Sequence, residues 1–132
     1  DIYTGSVLFF TFIWLNVLFS TYLLIGILER AQVKISTIQK LILILFMIAT
    51  GPAIRNYMNL QVNFIVLTTC LAYITCVEQN RKNWISGLFL SVGIWIKIYP
   101  ILLLGMGILY KKYRPSLNWT FFWFLIFTIG KF

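Results

Sequence analysis

The chain has 132 residues, of which 61% are hydrophobic and only 11% are charged, and its mean hydropathy is +0.90. Soluble domains are about half apolar and about a quarter charged, so this composition all but excludes a water-soluble globule and predicts a bilayer protein. The chain has no histidine, and its carboxylates are Asp1, Glu29 and Glu78. It therefore lacks the residues of a Ser/His/Asp triad, a histidine metal cluster or a close pair of catalytic carboxylates.

Basic residues outnumber acidic ones by 11 to 3, which gives a net charge of +8. They lie singly or in short groups between long apolar runs, a pattern typical of charges that flank membrane segments and not of a nucleic-acid surface. The first apolar run has no basic segment before it and no small-residue cleavage site after it, so no signal peptide is predicted. Since the chain starts without methionine and stops just after an apolar run, we expect residues 1–132 to be a single transmembrane helical region of a longer protein.

The first two predicted segments differ in length and continuity. Residues 6–28 form an uncharged run of 23 residues. As a helix this run is about 34 Å long, which is enough to cross a hydrocarbon core about 30 Å thick. Residues 41–54 form a second run that is interrupted by Gly51 and Pro52. Proline removes a helix donor and disfavours helical geometry in the residue before it, so this helix is predicted to end near Thr50.

The second half of the chain contains shorter apolar runs. Residues 60–77 give a third segment of 18 residues, and the polar turn at residues 78–83 must reverse the chain. After this turn, residues 84–96 and 101–110 are each too short for a comfortable span. They predict either one kinked helix that joins them and carries a buried lysine, or two short helices that turn between them within the membrane.

The distribution of positive charge favours two short helices. With that arrangement, one side of the membrane receives most of the basic residues, namely Arg30, Lys34, Lys40, Arg81, Lys82, Lys111, Lys112 and Arg114. The other side receives Arg55, Lys97 and Lys131. The positive-inside rule therefore predicts an all-α, polytopic bundle of about six membrane segments, with residues 117–130 as the last. It places residues 30–40, 81–82 and 111–114 in the cytoplasm.

Lys97 is the strongest candidate for a functional residue. A charge inside an apolar stretch is costly at mid-membrane and is kept where it faces water, a partner or an anion. Tyr99 and Pro100 follow it, so a phenolic donor and a helix break coincide with the charge. Irregular backbone at membrane depth is tolerated only around a protected cavity. The alternative is that Lys97 extends to the outer interface beside Tyr99 and anchors a short hairpin.

A polar loop around Arg55 is predicted on the same outer side as Lys97. These two cations would suit a phosphate or pyrophosphate, because guanidinium and ammonium groups form charge-assisted hydrogen bonds to phosphate oxygens. Gln61 and Asn63 would line the same site, where the N-terminus of the third helix adds partial positive charge. Alternatively, the two amides cap or join helices and Arg55 binds lipid headgroups.

Small and aromatic residues in the second half are interpreted as packing and anchoring residues. The small residues would let helices approach closely, and they are Gly87, Ser91, Gly93, Gly105 and Gly107. The tryptophans are more typical of interfacial anchors or lipid-facing bulk than of a sugar-binding platform, and they are Trp84, Trp95, Trp119 and Trp123. Their spacing does not decide between an anchor and a sugar-binding role for Trp95, which lies near Lys97.

The order of these motifs resembles glycosyltransferase family 87. The sequence Asn-Leu-Gln-Val-Asn at residues 59–63 precedes a span, a basic turn, a small-residue helix, the Lys-Ile-Tyr-Pro motif at residues 97–100 and the basic residues 111–114. Members of that family carry a similar order of Gly-Gln-x-Asn, span, arginine-rich turn, small-residue helix, Lys-x-x-Pro and aliphatic helix, and belong to the C-type (GT-C) membrane glycosyltransferases. The match covers about residues 59–115, and Leu60 stands where the family has glycine.

The resemblance implies a polytopic enzyme, expected in a bacterial plasma membrane. It would transfer a sugar, often mannose, from a polyprenyl-phosphate donor to a lipid or glycan acceptor outside the cytoplasm. Lys97 corresponds to the family's lysine and would neutralise the departing donor phosphate. Arg55, a candidate through its charge and not through the resemblance, would help it. Gln61 and Asn63 correspond to the Gln-x-Asn positions, and Tyr99 to the end of the lysine motif.

The resemblance also implies an acidic general base in the first external loop, which lies outside this chain. We expect no metal and no cofactor, since a lysine can stabilise the leaving phosphate and the chain offers no carboxylate cluster. The competing interpretation is a non-enzymatic membrane subunit or part of a transporter. In that case Lys97 would be a gating, ion-pairing or anchoring charge.

Overall fold

A computed structural model of the chain describes residues 2–50, 54–55 and 62–131. All regular elements in these residues are helical, which confirms the predicted all-α fold. In chain order they are α1 (Ile2–Arg30), α2 (Thr37–Ala49), α3 (Asn63–Glu78), α4 (Asn83–Ile96), a 3₁₀ helix (Tyr99–Leu103), α5 (Leu104–Leu109) and α6 (Arg114–Ile129).

Helix α1 is the one described helix that is long and apolar enough to cross a membrane by length and composition. It has 29 residues, so its axis is about 43 Å long. Helices α2, α3 and α4 and the stretch Tyr99–Leu109 are also apolar but shorter. The structure therefore confirms the helical class and supports membrane crossing for α1, whereas the polytopic bundle of about six membrane segments stays a prediction.

Helices α1 and α3 end in the same kind of turn. Gln32 and Asn80 adopt positive φ values of 62° and 52°. The N–H of Arg81 then donates to the Cys76 carbonyl at 2.8 Å, and an equivalent bond closes the end of α1. This Schellman arrangement satisfies the last carbonyl groups and stops the helix. The polar turn predicted at residues 78–83 thus ends α3 by its own backbone chemistry.

Helix α2 begins with a capping box. The Ser36 hydroxyl accepts the Gln39 N–H at 3.2 Å, and the Gln39 side chain accepts the Ser36 N–H at 2.9 Å. The helix ends at Ala49, and Thr50 is an extended C-cap with φ −68° and ψ 149°. The predicted end of this helix near Thr50 is confirmed.

The described residues form two compact units, residues 1–68 and residues 69–132, so the boundary falls inside α3. In the first unit, Ile13 and Val17 of α1 pack with Phe64 of α3. A buried hydrogen bond of 2.7 Å joins the hydroxyls of Ser20 and Thr68. Hydroxyl pairs of this kind hold apolar helices together because neither group has water as an alternative partner. Residues 69–132 are called unit 2 below.

Helices α4 and α6 of unit 2 lie side by side and run in the same direction. Towards their N-termini, a Cβ atom on Gly87 would lie 2.7 Å from the backbone nitrogen of Thr120. Towards their C-termini, the Lys131 ammonium lies 5.9 Å from the centre of the Trp95 ring. These contacts follow the same order along both helices, so α4 and α6 are parallel. The 3₁₀ helix and α5, which connect them in sequence, must therefore return the chain from the C-terminal end of α4 to the N-terminal end of α6. The runs at residues 84–96 and 101–110 are therefore separate helices and not one kinked helix.

Four of the small residues pack as predicted and one does not. A Cβ atom on Gly87, Gly93 or Gly107 would meet a neighbouring helix or loop at less than 3 Å, and Ser91 is fully buried. A Cβ atom on Gly105 would meet nothing within 4 Å. The prediction that Gly105 is a packing residue is wrong, because none of the residues that the structure describes approaches that face of the short helix α5.

Candidate functional site

Lys97 lies where helix α4 ends. Its backbone is extended, with φ −145° and ψ 140°, and its N–H donates to the Gly93 carbonyl at 3.0 Å. The helix cannot continue through this point, because Pro100 has no N–H to donate to the Ile96 carbonyl four residues earlier. The side chain of Lys97 is half-buried. The predicted helix break at residues 97–100 is confirmed.

A tight contact holds the last turn of α4 in place. A Cβ atom on Gly93 would lie 2.6 Å from the Thr69 hydroxyl oxygen of α3 and 3.6 Å from Cγ of Pro100. Pro100 is buried against this turn. Helix α3, helix α4 and the start of the 3₁₀ helix therefore meet at Gly93, one turn before Lys97. Only glycine leaves enough room for this approach.

Tyr99 opens the 3₁₀ helix two residues after Lys97 and keeps 49% of its surface exposed. Neighbouring Ile98 is 74% exposed. The end of unit 2 that carries Lys97 thus presents an ammonium group and a phenol beside apolar surface. Ammonium and phenol groups both donate hydrogen bonds to phosphate oxygens.

A shallow depression of about 390 Å³ lies at the same end of unit 2, and it is lined by Trp95, Ile126, Phe127, Gly130 and Lys131. The Lys131 ammonium lies over the half-exposed Trp95 ring, as in a cation–π contact. The sequence places Lys131 on the Lys97 side but gives it no role. Its pairing with Trp95 follows from the packing of α4 beside α6; the predicted topology gives these helices the same direction, but the sequence carries no signal that they are neighbours.

The other predicted site residues lie elsewhere in the chain. Arg55 is exposed, and Asn63 is half-buried at the first residue of α3. Both belong to residues 1–68, whereas Lys97 and Tyr99 belong to unit 2. Gln61 lies outside the described residues. A shared phosphate site of Arg55, Asn63 and Lys97 therefore stays a prediction.

The carboxylate of unit 2, Glu78, lies at the opposite end from Lys97. It ends α3 and accepts a hydrogen bond of 2.7 Å from Tyr113, the residue before α6. Burial and this carboxylate raise the pKa of Tyr113 above its ordinary value of 10.0, so the phenol stays protonated and donates. Because α4 and α6 are parallel, this end is remote from Lys97 and Lys131. Glu78 is therefore not placed to act as a base beside Lys97.

Comparison with protein families gives one result that covers nearly the whole chain. The model of glycosyltransferase family 87 matches residues 4–132. The matched stretch includes both compact units and extends well beyond residues 59–115, on which the motif resemblance rests. A comparison with curated proteins finds no match, and a comparison with solved structures finds none either.

Proposed function

The chain belongs to glycosyltransferase family 87, which implies an enzyme that takes a sugar donor and an acceptor, and we propose that the donor is a polyprenyl-phosphate sugar. The sugar is mannose or a similar hexose, and the acceptor is a lipid or glycan on the non-cytoplasmic side of a bacterial plasma membrane. The apolar composition and the Lys-Ile-Tyr-Pro motif at residues 97–100 support a lipid-borne donor. Such a donor reaches its enzyme from within the bilayer.

The observation that carries this proposal is the position of Lys97 at the broken end of α4. The residue is half-buried, follows a helix that stops at Ile96 and stands beside the phenol-bearing residue Tyr99. The backbone of Lys97 is thus held at a helix end, and in this proposal its ammonium group reaches the donor phosphate where bilayer and protein exclude most water. A fixed cation in such surroundings stabilises developing negative charge more than it would in water.

The proposed reaction inverts the anomeric carbon. The acceptor hydroxyl oxygen attacks that carbon and forms the new glycosidic bond, while the bond between the carbon and the phosphate oxygen breaks. The electron pair of the broken bond stays on the polyprenyl phosphate, whose charge Lys97 stabilises. The hydroxyl proton passes to an acidic base from another part of the full-length protein.

The remaining predicted residues have supporting roles in this proposal. Tyr99 donates a hydrogen bond to a phosphate oxygen, and Arg55 supplies a second cation. Gln61 and Asn63 line the sugar or phosphate site with amide groups. These roles are supported by the family motif for Gln61, Asn63 and Tyr99, and by residue chemistry alone for Arg55.

The test is sugar transfer by the full-length protein in lipid nanodiscs, with polyprenyl-phosphate mannose as donor. We expect Lys97→Ala to lower kcat about 10²–10³-fold, as loss of a charge-stabilising donor does in other enzymes. Lys97→Arg should keep part of this activity. Lys34→Ala, which removes an exposed lysine from the loop between α1 and α2, is the matched control and should leave the rate unchanged.

Two results would separate the parts of the proposal. Unchanged turnover in Lys97→Ala would overturn the role of Lys97. Transfer from a nucleotide sugar and from no polyprenyl-phosphate sugar would overturn the proposed donor. A non-enzymatic role as a subunit or transporter part would also suit the broken helix at Lys97, but the family match favours the enzyme.

A further inference from the structure

Two turns that are distant in sequence meet at the end of unit 2 remote from Lys97. Glu78, at the end of α3, accepts hydrogen bonds from the Lys112 ammonium at 3.0 Å and from the Tyr113 hydroxyl at 2.7 Å. The Lys112 ammonium also donates to the Glu78 backbone carbonyl at 3.2 Å. These bonds join the turn after α3 to the turn before α6.

The two joined turns form one strongly positive surface, which we call the basic end. It comprises five exposed cationic residues, Arg81, Lys82, Lys111, Lys112 and Arg114. Glu78 is the carboxylate among them, and its oxygens already accept from Lys112 and Tyr113. Five cations against one carboxylate leave a local net charge of +4. Such a concentration of like charge favours an anionic partner from outside the protein.

Exposed aromatic residues lie beside the basic end. Trp84 follows Lys82 closely in sequence and is 40% exposed, and Tyr110 precedes Lys111 and is 58% exposed. Tryptophan and tyrosine with exposed rings are typical of the headgroup layer of a bilayer, where one part of the ring is apolar and the other is hydrated. The exposed aromatic residues and the cations therefore occupy the same end of unit 2.

We propose that the basic end binds the phosphate groups of anionic phospholipids in the leaflet that it faces. The charge of the surface complements these headgroups, and the adjacent exposed aromatic residues are of the kind that is enriched at membrane interfaces. Each lysine or arginine near an anionic leaflet contributes about 1 kcal/mol of attraction. This binding does not depend on glycosyl transfer, because Lys97 lies at the other end of the unit.

The test measures lipid binding by the full-length protein in detergent, titrated with phosphatidylglycerol or with zwitterionic phosphatidylcholine and followed by native mass spectrometry. We expect preferential binding of phosphatidylglycerol that weakens as salt is raised. The double variant Lys111→Gln/Arg114→Gln should weaken this binding about 25-fold, at about fivefold for each removed charge. The variant leaves Lys112 and Tyr113, which donate to Glu78, unchanged.

Two controls keep the result specific. Lys111→Arg/Arg114→Lys keeps both charges and should bind phosphatidylglycerol as the unaltered protein does. Lys131→Gln removes a charge at the opposite end of unit 2 and should have no effect on this binding. Equal affinity for the two lipids, or an unchanged affinity in the Lys111→Gln/Arg114→Gln variant, would overturn the proposal. Equal competition by soluble glycerol phosphate would also overturn it, because the surface would then bind any small anion.

Discussion

Gly93 of α4 lies so close to Thr69 of α3 that a Cβ atom on the glycine would stand 2.6 Å from the threonine hydroxyl oxygen. The carbonyl of the same glycine accepts the N–H of Lys97 at 3.0 Å. The contact between the two helices and the backbone position of the candidate site residue therefore share one glycine. Any change that pushes α4 away from α3 at this point also shifts Lys97.

The first prediction concerns this contact. Gly93→Ala should lower transfer activity and destabilise unit 2, because overpacking of this kind costs about 1–3 kcal/mol. Adding Thr69→Ala to this variant should restore most of the activity and most of the stability. It removes the hydroxyl oxygen and leaves Cβ of residue 69 at 3.5 Å from the new Cβ of residue 93, an ordinary contact distance. Thermal unfolding and donor turnover of the two single variants and the double variant measure the coupling. Additive effects would show that the Thr69 hydroxyl is not the obstacle.

The second prediction compares two glycines of unit 2. Gly87→Ala should be strongly destabilising, because its Cβ would meet backbone atoms of Trp119 and Thr120 at 2.7 Å, and backbone cannot move as a side chain can. Gly105→Ala introduces the same methyl group where no atom of the described part of the chain lies within 4 Å. It should stabilise α5 by about 0.5–1 kcal/mol, the usual gain when alanine replaces a helical glycine. Unfolding temperature in a fixed detergent distinguishes the two variants, and equal shifts would contradict the described packing of α4 on α6.

The third prediction concerns Tyr113 at alkaline pH. The folded protein holds the pKa of Tyr113 above its ordinary value of 10.0, so it binds more protons than the unfolded chain once the pH exceeds about 10. The stability contributed by this tyrosine is therefore complete below pH 10 and falls as the pH rises further. Tyr113→Phe should unfold with a flatter dependence on pH in this range.

The same variant has a second effect at neutral pH. Tyr113→Phe removes the hydrogen bond to Glu78 and should cost about 1 kcal/mol of unfolding free energy. Denaturant unfolding at pH 7 and at a series of alkaline pH values measures both effects. An unchanged alkaline slope in the variant would show that another group causes the loss of stability.

The fourth prediction concerns Tyr99. If its phenol donates to the donor phosphate, Tyr99→Phe should lower kcat/KM about tenfold to a hundredfold, because hydrogen bonds to charged groups contribute about 1.5–3 kcal/mol. Tyr22→Phe removes the same hydroxyl from an exposed position on α1 and serves as the control. Steady-state transfer rates with polyprenyl-phosphate mannose show whether the Tyr99 hydroxyl contributes to turnover. Equal rates in both variants would remove Tyr99 from the site.

Several local features follow from short-range chemistry and are predictable from the sequence. Proline at position 100 removes a helix donor, so the break at Lys97 is visible in the sequence. The end of α2 near Thr50 and the reversal after α3 follow in the same way from residues within a few positions of each other. The helical class follows from long apolar runs, and the family follows from the order of motifs.

The packing partners within unit 2 could not be predicted from the sequence. Gly87 and Gly105 are both glycines in apolar helices, yet one meets backbone atoms and the other meets nothing within 4 Å. Lys131 and Trp95 are far apart in the chain and become neighbours only because α4 and α6 are parallel. The sequence of an apolar helix does not mark which of its faces touches another helix, because lipid-facing and helix-facing residues are equally apolar.

The sequence by itself therefore determined the helical class of this chain, its helix ends, the break at Lys97 and its membership of glycosyltransferase family 87. The distribution of positive charge already placed the two basic turns on one side and Lys97 on the other; only the tertiary structure decided that Glu78 joins these turns through Lys112 and Tyr113 and that Lys131 lies over Trp95. The physical reason is the sequence separation of the residues that interact. Helix ends depend on hydrogen bonds between residues up to five positions apart, whereas helix partners depend on complementary shape between residues tens of positions apart.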